Sequence, residues 1–214
     1  YLPSPVEVPQ IESYTGQNGD RVYYAPTGVY PSITTVLKVL SDESIKKWRT
    51  RVGYETANKI TKQAGFRGNR LHNALENYIK NKPYTESFAF QIVKPYVDRI
   101  NNIRIQEKTL WSDVYEVAGK CDCIADFDNI PSVIDFKTSI KEKRKEWISN
   151  YLIQTTFYAV AFEERTGIKI PQIVIIIAGD DGSSSCFVDS TDNYVDSLKL
   201  VIDTYHTMND VAIA

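Results

Sequence analysis

"AGKCDCIADFDNIPSVIDFKTS", residues 118–139, alternates like two β-strands joined by a turn, yet Asp122, Asp135 and Lys137 interrupt its most apolar positions. A carboxylate buried in a sheet without compensation is costly or protonates, so each charge must be solvated, paired or bound to a cation. Side chains alternate along a strand, which puts Asp135 and Lys137 on one face and Phe136 on the other, with Asp122 able to meet them from the neighbouring strand. Two carboxylates that close repel unless a divalent cation neutralises them, and hard oxygen ligands with room for water favour Mg²⁺ or Mn²⁺. A protonated lysine cannot ligate, but beside a metal-bound water it can orient a nucleophile or offset charge developing on a phosphate. An ordinary ion pair at a strand end uses the same residues, so the rest of the chain has to decide.

Around this stretch the pattern changes twice. Before it, "GNRLHNALENYIKN" places Leu71, Leu75, Tyr78 and Ile79 on one helical stripe, Ser32 or Thr34 can cap a helix running to about Arg51, and "SFAFQIVKPYVDRINNI" reads as a helix containing Pro95. Period two takes over in "IRIQEKTLWSD", "YEVAGKCDCIADFD" and "PSVIDFKT". "WISNYLIQTTFYAVAFEERTG" is a helix stopping at Gly167, "QIVIIIAG" a strand covered on both faces, "SSSCFVDS" a short strand and "DNYVDSLKLVIDTYHTM" a last amphipathic helix. The order argues a single α/β domain of residues 1–214, with a helical N-terminal part to about residue 103 and a catalytic sheet with flanking helices after it. A hairpin is expected in the Gly- and Tyr-rich segment 13–32.

A length of 214 residues with 43% hydrophobic positions suffices for one core. No apolar run approaches a membrane span, and the first residues lack the features of a signal peptide, so no membrane partner is expected and the expected compartment is the cytoplasm. Cys121, Cys123 and Cys186 read as reduced core residues. Charge is uneven: residues 176–214 carry a net −6 within a chain total of −2, which leaves +4 on residues 1–175. Basic clusters lie at Lys46, Lys47, Arg49 and Arg51, at Lys59, Lys62, Arg67 and Arg70, and at Lys137, Lys141, Lys143, Arg144 and Lys145. Each alone suits a solvated face; three together suit a polyanionic ligand.

Further polar residues keep company with the first three. His72 and Glu76 share a helix face beside the apolar stripe, Gln154 and Tyr158 are again four apart, and Glu107 stands at the start of the strand before Asp122. A lone helical histidine is more often a packing residue, and His206 is left in that class.

Taken in order, Gly68-x-x-x-His72, Glu107, Gly119-x-x-Asp122, Asp135-x-Lys137 and Gln154-x-x-x-Tyr158 resemble the RecB-like branch of the PD-(D/E)xK nucleases. The resemblance is nearest to the mitochondrial genome maintenance exonuclease family and its phage relatives, and spans roughly residues 30 to 190. It implies a restriction-endonuclease-like core, a mixed central sheet flanked by helices, with an N-terminal helical layer or arch. It also implies His72, Asp122, Asp135 and the Phe136 carbonyl as ligands of Mg²⁺ or Mn²⁺, and Lys137 as the residue that orients the attacking water. Glu107 becomes a second acid, and Gln154 and Tyr158 hold a substrate phosphate or position Lys137. The implied activity is exonucleolytic cleavage of single-stranded DNA in replication, repair or recombination, with proteins of those processes as partners. Arg67, Arg70, Lys47, Arg51, Lys141 and Arg144 would then follow the phosphate backbone while Trp48 and Trp147 stack on bases. The implied setting is a phage-infected or bacterial cytoplasm, or a mitochondrion if a presequence was trimmed. A structure-specific or double-strand endonuclease, or a non-catalytic DNA-binding subunit of a recombination complex, uses the same parts.

Overall fold

The computed structural model describes residues 1–17 and 19–210, and two sheets organise them. Where the sequence suggests a hairpin, a three-stranded antiparallel meander forms from β1 (Glu12–Thr15), β2 (Arg21–Ala25) and β3 (Gly28–Pro31). Tyr23 and Tyr30, paired across β2 and β3, are its buried side.

Ser32 then caps α1 (Ile33–Val36), its hydroxyl accepting the Thr35 amide at 3.0 Å. The helix expected to continue to Arg51 breaks: a 3-10 turn over Leu37–Leu40 and Ser41 separate α1 from α2 (Asp42–Val52). Leu37 follows the core while α2 buries none of its residues, so the chain leaves the packed surface at the break. α3 (Tyr54–Ile79) buries Leu71, Ala74, Leu75 and Ile79 in its second half but only Ala57 in its first. α4 (Phe88–Val97) also ends earlier than its periodicity predicts. Residues 100–103 go to β4, where Ile100 pairs with Phe127 and Ile103 bonds the N-terminal segment, two extended partners that outweigh helical spacing.

The larger sheet has the order β4 (Ile100–Ser112), β5 (Val117–Phe127), β6 (Ile130–Ser139), β7 (Gln172–Gly179) and β8 (Ser184–Ser190). All neighbours are antiparallel except β6 and β7, and a parallel pair requires a crossover, which α5 (Ser149–Thr166) supplies. α5 ends at Gly167, whose φ of 73° is the left-handed cap that a glycine accepts without strain. One face of the sheet packs under α1, α5 and α6 (Val195–Asp210) through Val133, Ile175, Phe157, Phe162 and Leu198. The other packs under α3 and α4 through Phe136, Ile176, Leu71, Leu75 and Phe90. Ile173 to Ile177 are buried on both faces, as the unbroken apolar run predicts. The result is the mixed α/β sheet flanked by helices that the sequence led us to expect. Among the described residues no helix is long and apolar enough to cross a membrane.

One irregularity positions the site. β5 and β6 pair from Cys123 with Ile134 to Phe127 with Ile130 and no further. Beyond that point β5 stays with β4 and β6 with β7, so the two strands fork at Asp122 and Asp135.

Candidate active site

Asp122 stands in the fork on β5. Its Oδ2 accepts the backbone amide of Phe136 at 2.9 Å and its Oδ1 lies 3.5 Å from His72 Nδ1. His72 reaches the fork from the buried half of α3, with Nε2 2.8 Å from the Phe136 carbonyl. From the other side comes Glu107, in mid-β4 rather than at the strand start the sequence suggested, with Oε1 3.7 Å from His72 Nδ1. Glu107 lies between the pairs Gln106 with Cys123 and Lys108 with Cys121, and its φ of 54° is left-handed. A non-glycine residue there costs about 1–2 kcal/mol, strain typical of side chains aimed for a purpose.

Asp135 and Lys137 share the neighbouring face of β6. Asp135 is 2% exposed, and its Oδ2 is 2.5 Å from Lys137 Nζ in ion contact, yet no aligned hydrogen bond reaches this buried oxygen. Lys137 also lies 5.2 Å over the ring of Tyr151. Beneath β5, Gln154 Nε2 donates to the Tyr158 hydroxyl at 3.1 Å. Tyr158 is 2% exposed and presses on Gly119, where a Cβ would come 2.9 Å from Tyr158 Cε1 and 2.9 Å from Ile33 Cγ2. That close approach is the reason for glycine at 119. It also leaves Tyr158 sealed from solvent, so of the two roles expected for it, positioning fits and direct contact with a phosphate does not.

These charges shift one another. Burial and the charge of Asp135 push the Asp122 carboxyl up to about 6, against the pull of His72 and Lys137. Burial works to lower His72, but Asp122 and Glu107 carry it to about 9. Glu107 is held below the usual carboxylate range despite burial, by His72 and by Lys120, whose Nζ is 2.6 Å away. Lys137 is raised, burial notwithstanding, by Asp135 and Asp122, so it is an ammonium here.

One imidazole nitrogen and one carboxylate oxygen each from Glu107 and Asp122 lie within 4.8 Å of one another. Nitrogen and oxygen donors around a repelling acidic pair, next to a buried carboxylate oxygen without a hydrogen bond, fit a hard divalent cation. The gathered set differs from the expected one in two ways. Glu107 is in it, and Asp135, which the Lys137 ammonium meets at 2.5 Å, is not. The Phe136 carbonyl, expected as a ligand, faces His72.

The remaining expected residues lie around this centre. Arg67 Nε is 3.1 Å from Asp180 Oδ2 and Arg70 is exposed on the next turn of α3. On α2, Lys47 pairs with Glu43, Arg51 is exposed and Trp48 is half-buried. In the loop after β6, Lys141 and Arg144 are exposed, and the Arg144 guanidinium lies 5.5 Å over Trp147, which is 59% exposed. Cys121 and Cys123 are buried, Cys186 half-buried, and all three are unpaired. His206 is satisfied by the Tyr115 carbonyl at 3.2 Å. Lys120 and Tyr151 were not singled out in the sequence, although Lys120 alternates with Asp122 on β5 and Tyr151 sits one turn before Gln154, spacings that carried the signal.

No family model matches the chain. It is 24% identical over 176 residues to the mitochondrial genome maintenance exonuclease 1 of Homo sapiens, a match covering 72% of this chain and 51% of that protein. The Mus musculus protein of the same name is 23% identical over 173 residues, with the same coverage of both chains. The chain therefore spans about half the length of the curated relatives it matches. An alkaline exonuclease of Laribacter hongkongensis has a solved structure that is 8% identical, covering 68% of this chain and 80% of that one, at a TM-score of 0.36. The ordered motifs and this similarity in sequence together support a RecB-like nuclease family, with the mitochondrial genome maintenance exonucleases as similar proteins.

Proposed function

We propose that this chain is a metal-dependent PD-(D/E)xK nuclease that cleaves single-stranded DNA from free ends. The observation that carries the reading is the convergence of His72, Glu107 and Asp122 in the strand fork, beside the buried Asp135 and Lys137 pair. Hydrolysis adds water across a phosphodiester, leaving a phosphate on one fragment and a hydroxyl on the other. Bound by His72, Glu107 and Asp122, Mg²⁺ or Mn²⁺ would lower the pKa of a water and offset charge on the phosphoryl oxygens. Lys137, held charged by Asp135, supplies a fixed cation where negative charge develops, and Tyr151 beneath it limits where its Nζ can go. Gln154, Tyr158 and Gly119 set the height of β5 and with it the position of Asp122. Single strands are favoured over duplex because the basic and aromatic residues lie on α2, α3 and the loop after β6, which carry Trp48 and Trp147 among cations. Partners in replication or recombination, and a compartment that contains DNA, follow from this reading and remain part of the proposal.

The test is digestion of end-labelled linear single strands beside circular ones, with Mg²⁺, Mn²⁺ or EDTA, by wild type and Lys137→Ala. Cleavage of the linear strand alone, dependent on metal and lost in the variant, is the expected result. Cutting of circles or duplexes would make it an endonuclease. Binding of DNA with no cleavage under either metal would sink the enzyme reading and leave a non-catalytic binding subunit.

A further inference from the structure

A small cavity of about 210 Å³ opens at the carboxyl ends of β6 and β7, the one parallel pair of the sheet. Its walls bring together Arg67 and Arg70 of α3, Thr138 of β6, Asp180 and the first turn of α4. It adjoins the fork. Thr138 follows Lys137 in the chain, and a Cβ added at Gly68, one turn before His72, would lie 4.0 Å from Thr138 Oγ1.

The donors are unusually uncommitted. The Arg67 side chain is a third exposed, but its Nε atom is buried without an aligned hydrogen bond, with Asp180 Oδ2 3.1 Å away. Arg70 makes no ion pair, and the Thr138 hydroxyl no hydrogen bond, with any described residue. The Ser87 hydroxyl takes the Phe90 amide at 3.2 Å, which leaves the amides of Phe88 and Ala89, as first-turn groups, without an acceptor inside the helix. Arg67, Arg70, Thr138 and the first-turn residues of α4 line the cavity, and Asp180 is the one acidic residue among them. Such a set matches a tetrahedral oxyanion. Organic ligands usually occupy roughly 300–1000 Å³, so the cavity suits a phosphate group better than a whole nucleotide. Carboxyl ends of parallel strands are also where open α/β sheets place ligands.

We propose that this cavity holds a phosphate of the nucleic acid strand next to the one being cut, with Arg67 exchanging Asp180 for the phosphate. This rests on the nuclease reading above and adds to it a second fixed point for the strand. The group has two sources, a phosphomonoester at a strand end or a phosphodiester within it.

Binding of short single-stranded oligonucleotides, measured by fluorescence anisotropy in EDTA and at constant salt, separates them. Oligonucleotides with a 5′-phosphate, a 3′-phosphate or neither are compared on wild type, Arg70→Gln, Thr138→Val and, as a remote loss of one charge on α6, Lys199→Gln. Arg70→Gln and Thr138→Val are expected to weaken binding roughly tenfold, and Lys199→Gln about twofold or less. Weakening confined to one phosphorylated end assigns the cavity to that strand end, and equal weakening of all three assigns it to an internal phosphodiester. An Arg70→Gln loss no larger than that of Lys199→Gln, with Thr138→Val unchanged, overturns the proposal. Arg70 is exposed and Thr138→Val preserves volume, so the variants keep the fold, which a thermal melt checks. Because no cleavage occurs in EDTA, absence of digestion with metal would end the nuclease reading without touching this result.

Discussion

The Phe136 amide donates to Asp122 Oδ2 at 2.9 Å across the gap where β5 and β6 part. A side chain thereby replaces the missing rung of the ladder, and the same carboxylate offers its other oxygen to the cation site. The two duties separate by mutation. Asp122→Ala leaves the Phe136 amide without its acceptor and should cost about 1–3 kcal/mol of stability. Asp122→Asn keeps an acceptor and removes the repulsion with Asp135, so its melting temperature in EDTA should equal or exceed that of wild type. Both variants should lose metal binding, and cleavage roughly 100-fold or more. Thermal melts with and without metal, alongside activity, check this.

Without metal, the stability that Asp122 and His72 contribute should fall from acid to alkaline pH. Asp122 at about 6 and His72 at about 9 are both raised above their unfolded values of about 3.9 and 6.5. Each contributes stability that is fully present below its unfolded value and lost as pH rises through its folded one. The decline therefore begins above about pH 4 with Asp122 and is complete near pH 9 with His72. A cation needs both groups deprotonated, so its binding should release protons between about pH 5 and 9, weakening as pH falls below about 9 and more steeply below about 6. Calorimetry in buffers of different ionisation enthalpy counts the protons. A metal-free melting temperature that rises with pH between about 6 and 9, where the lowered carboxylates are already ionised in both states, would contradict the assignment.

Gly119→Ala is expected to act through Tyr158. Its Cβ would sit 2.9 Å from both Tyr158 Cε1 and Ile33 Cγ2, and overpacking of this kind costs about 1–3 kcal/mol. Tyr158→Phe removes the hydroxyl, 3.2 Å from that Cβ, but not the ring carbon, so the double variant should recover part of the loss. A double-mutant cycle on melting temperature and on turnover reads the coupling. Strict additivity would show that Gly119 and Tyr158 do not meet.

Lys137 and Asp135 should be coupled in stability and not in activity. Removing one partner of a fully buried pair costs roughly 3–5 kcal/mol, and less here because Lys137 is 21% exposed at its side chain. Lys137→Gln should therefore destabilise, and adding Asp135→Asn should restore the melting temperature. Cleavage should stay lost in the double variant. Recovered cleavage would mean that Lys137 serves only to neutralise Asp135.

Much of this was legible in the sequence for identifiable reasons. Period-two strands at 117–127 and 130–139 and the apolar run 172–179 gave the sheet, because burial on one or both faces writes itself into residue type. Asp122, Asp135, Lys137 and His72 stood out as charges where burial was expected. The fork was not legible: nothing in residues 118–139 says that pairing stops at Cys123 and Ile134, since that depends on which neighbour each strand keeps. Glu107 was misplaced at a strand end for the same reason, its left-handed φ and mid-strand position being set by β5. The early stop of the helix at Val97 reflects partners distant in sequence overriding local periodicity, whereas the one at Val36 marks where the chain leaves the packed surface.

α2 buries no residue and the first half of α3 only Ala57, so little apolar surface resists the opening of their backbone hydrogen bonds. Their local unfolding free energy should lie well below that of the sheet, making residues 42–67 the first to exchange amide hydrogens and the first nicked by protease. A bound strand that quenched this opening would spend part of its contact energy on order, and hydrogen exchange at 42–67 would then report occupancy directly, while the amides of β6 and β7 stayed silent.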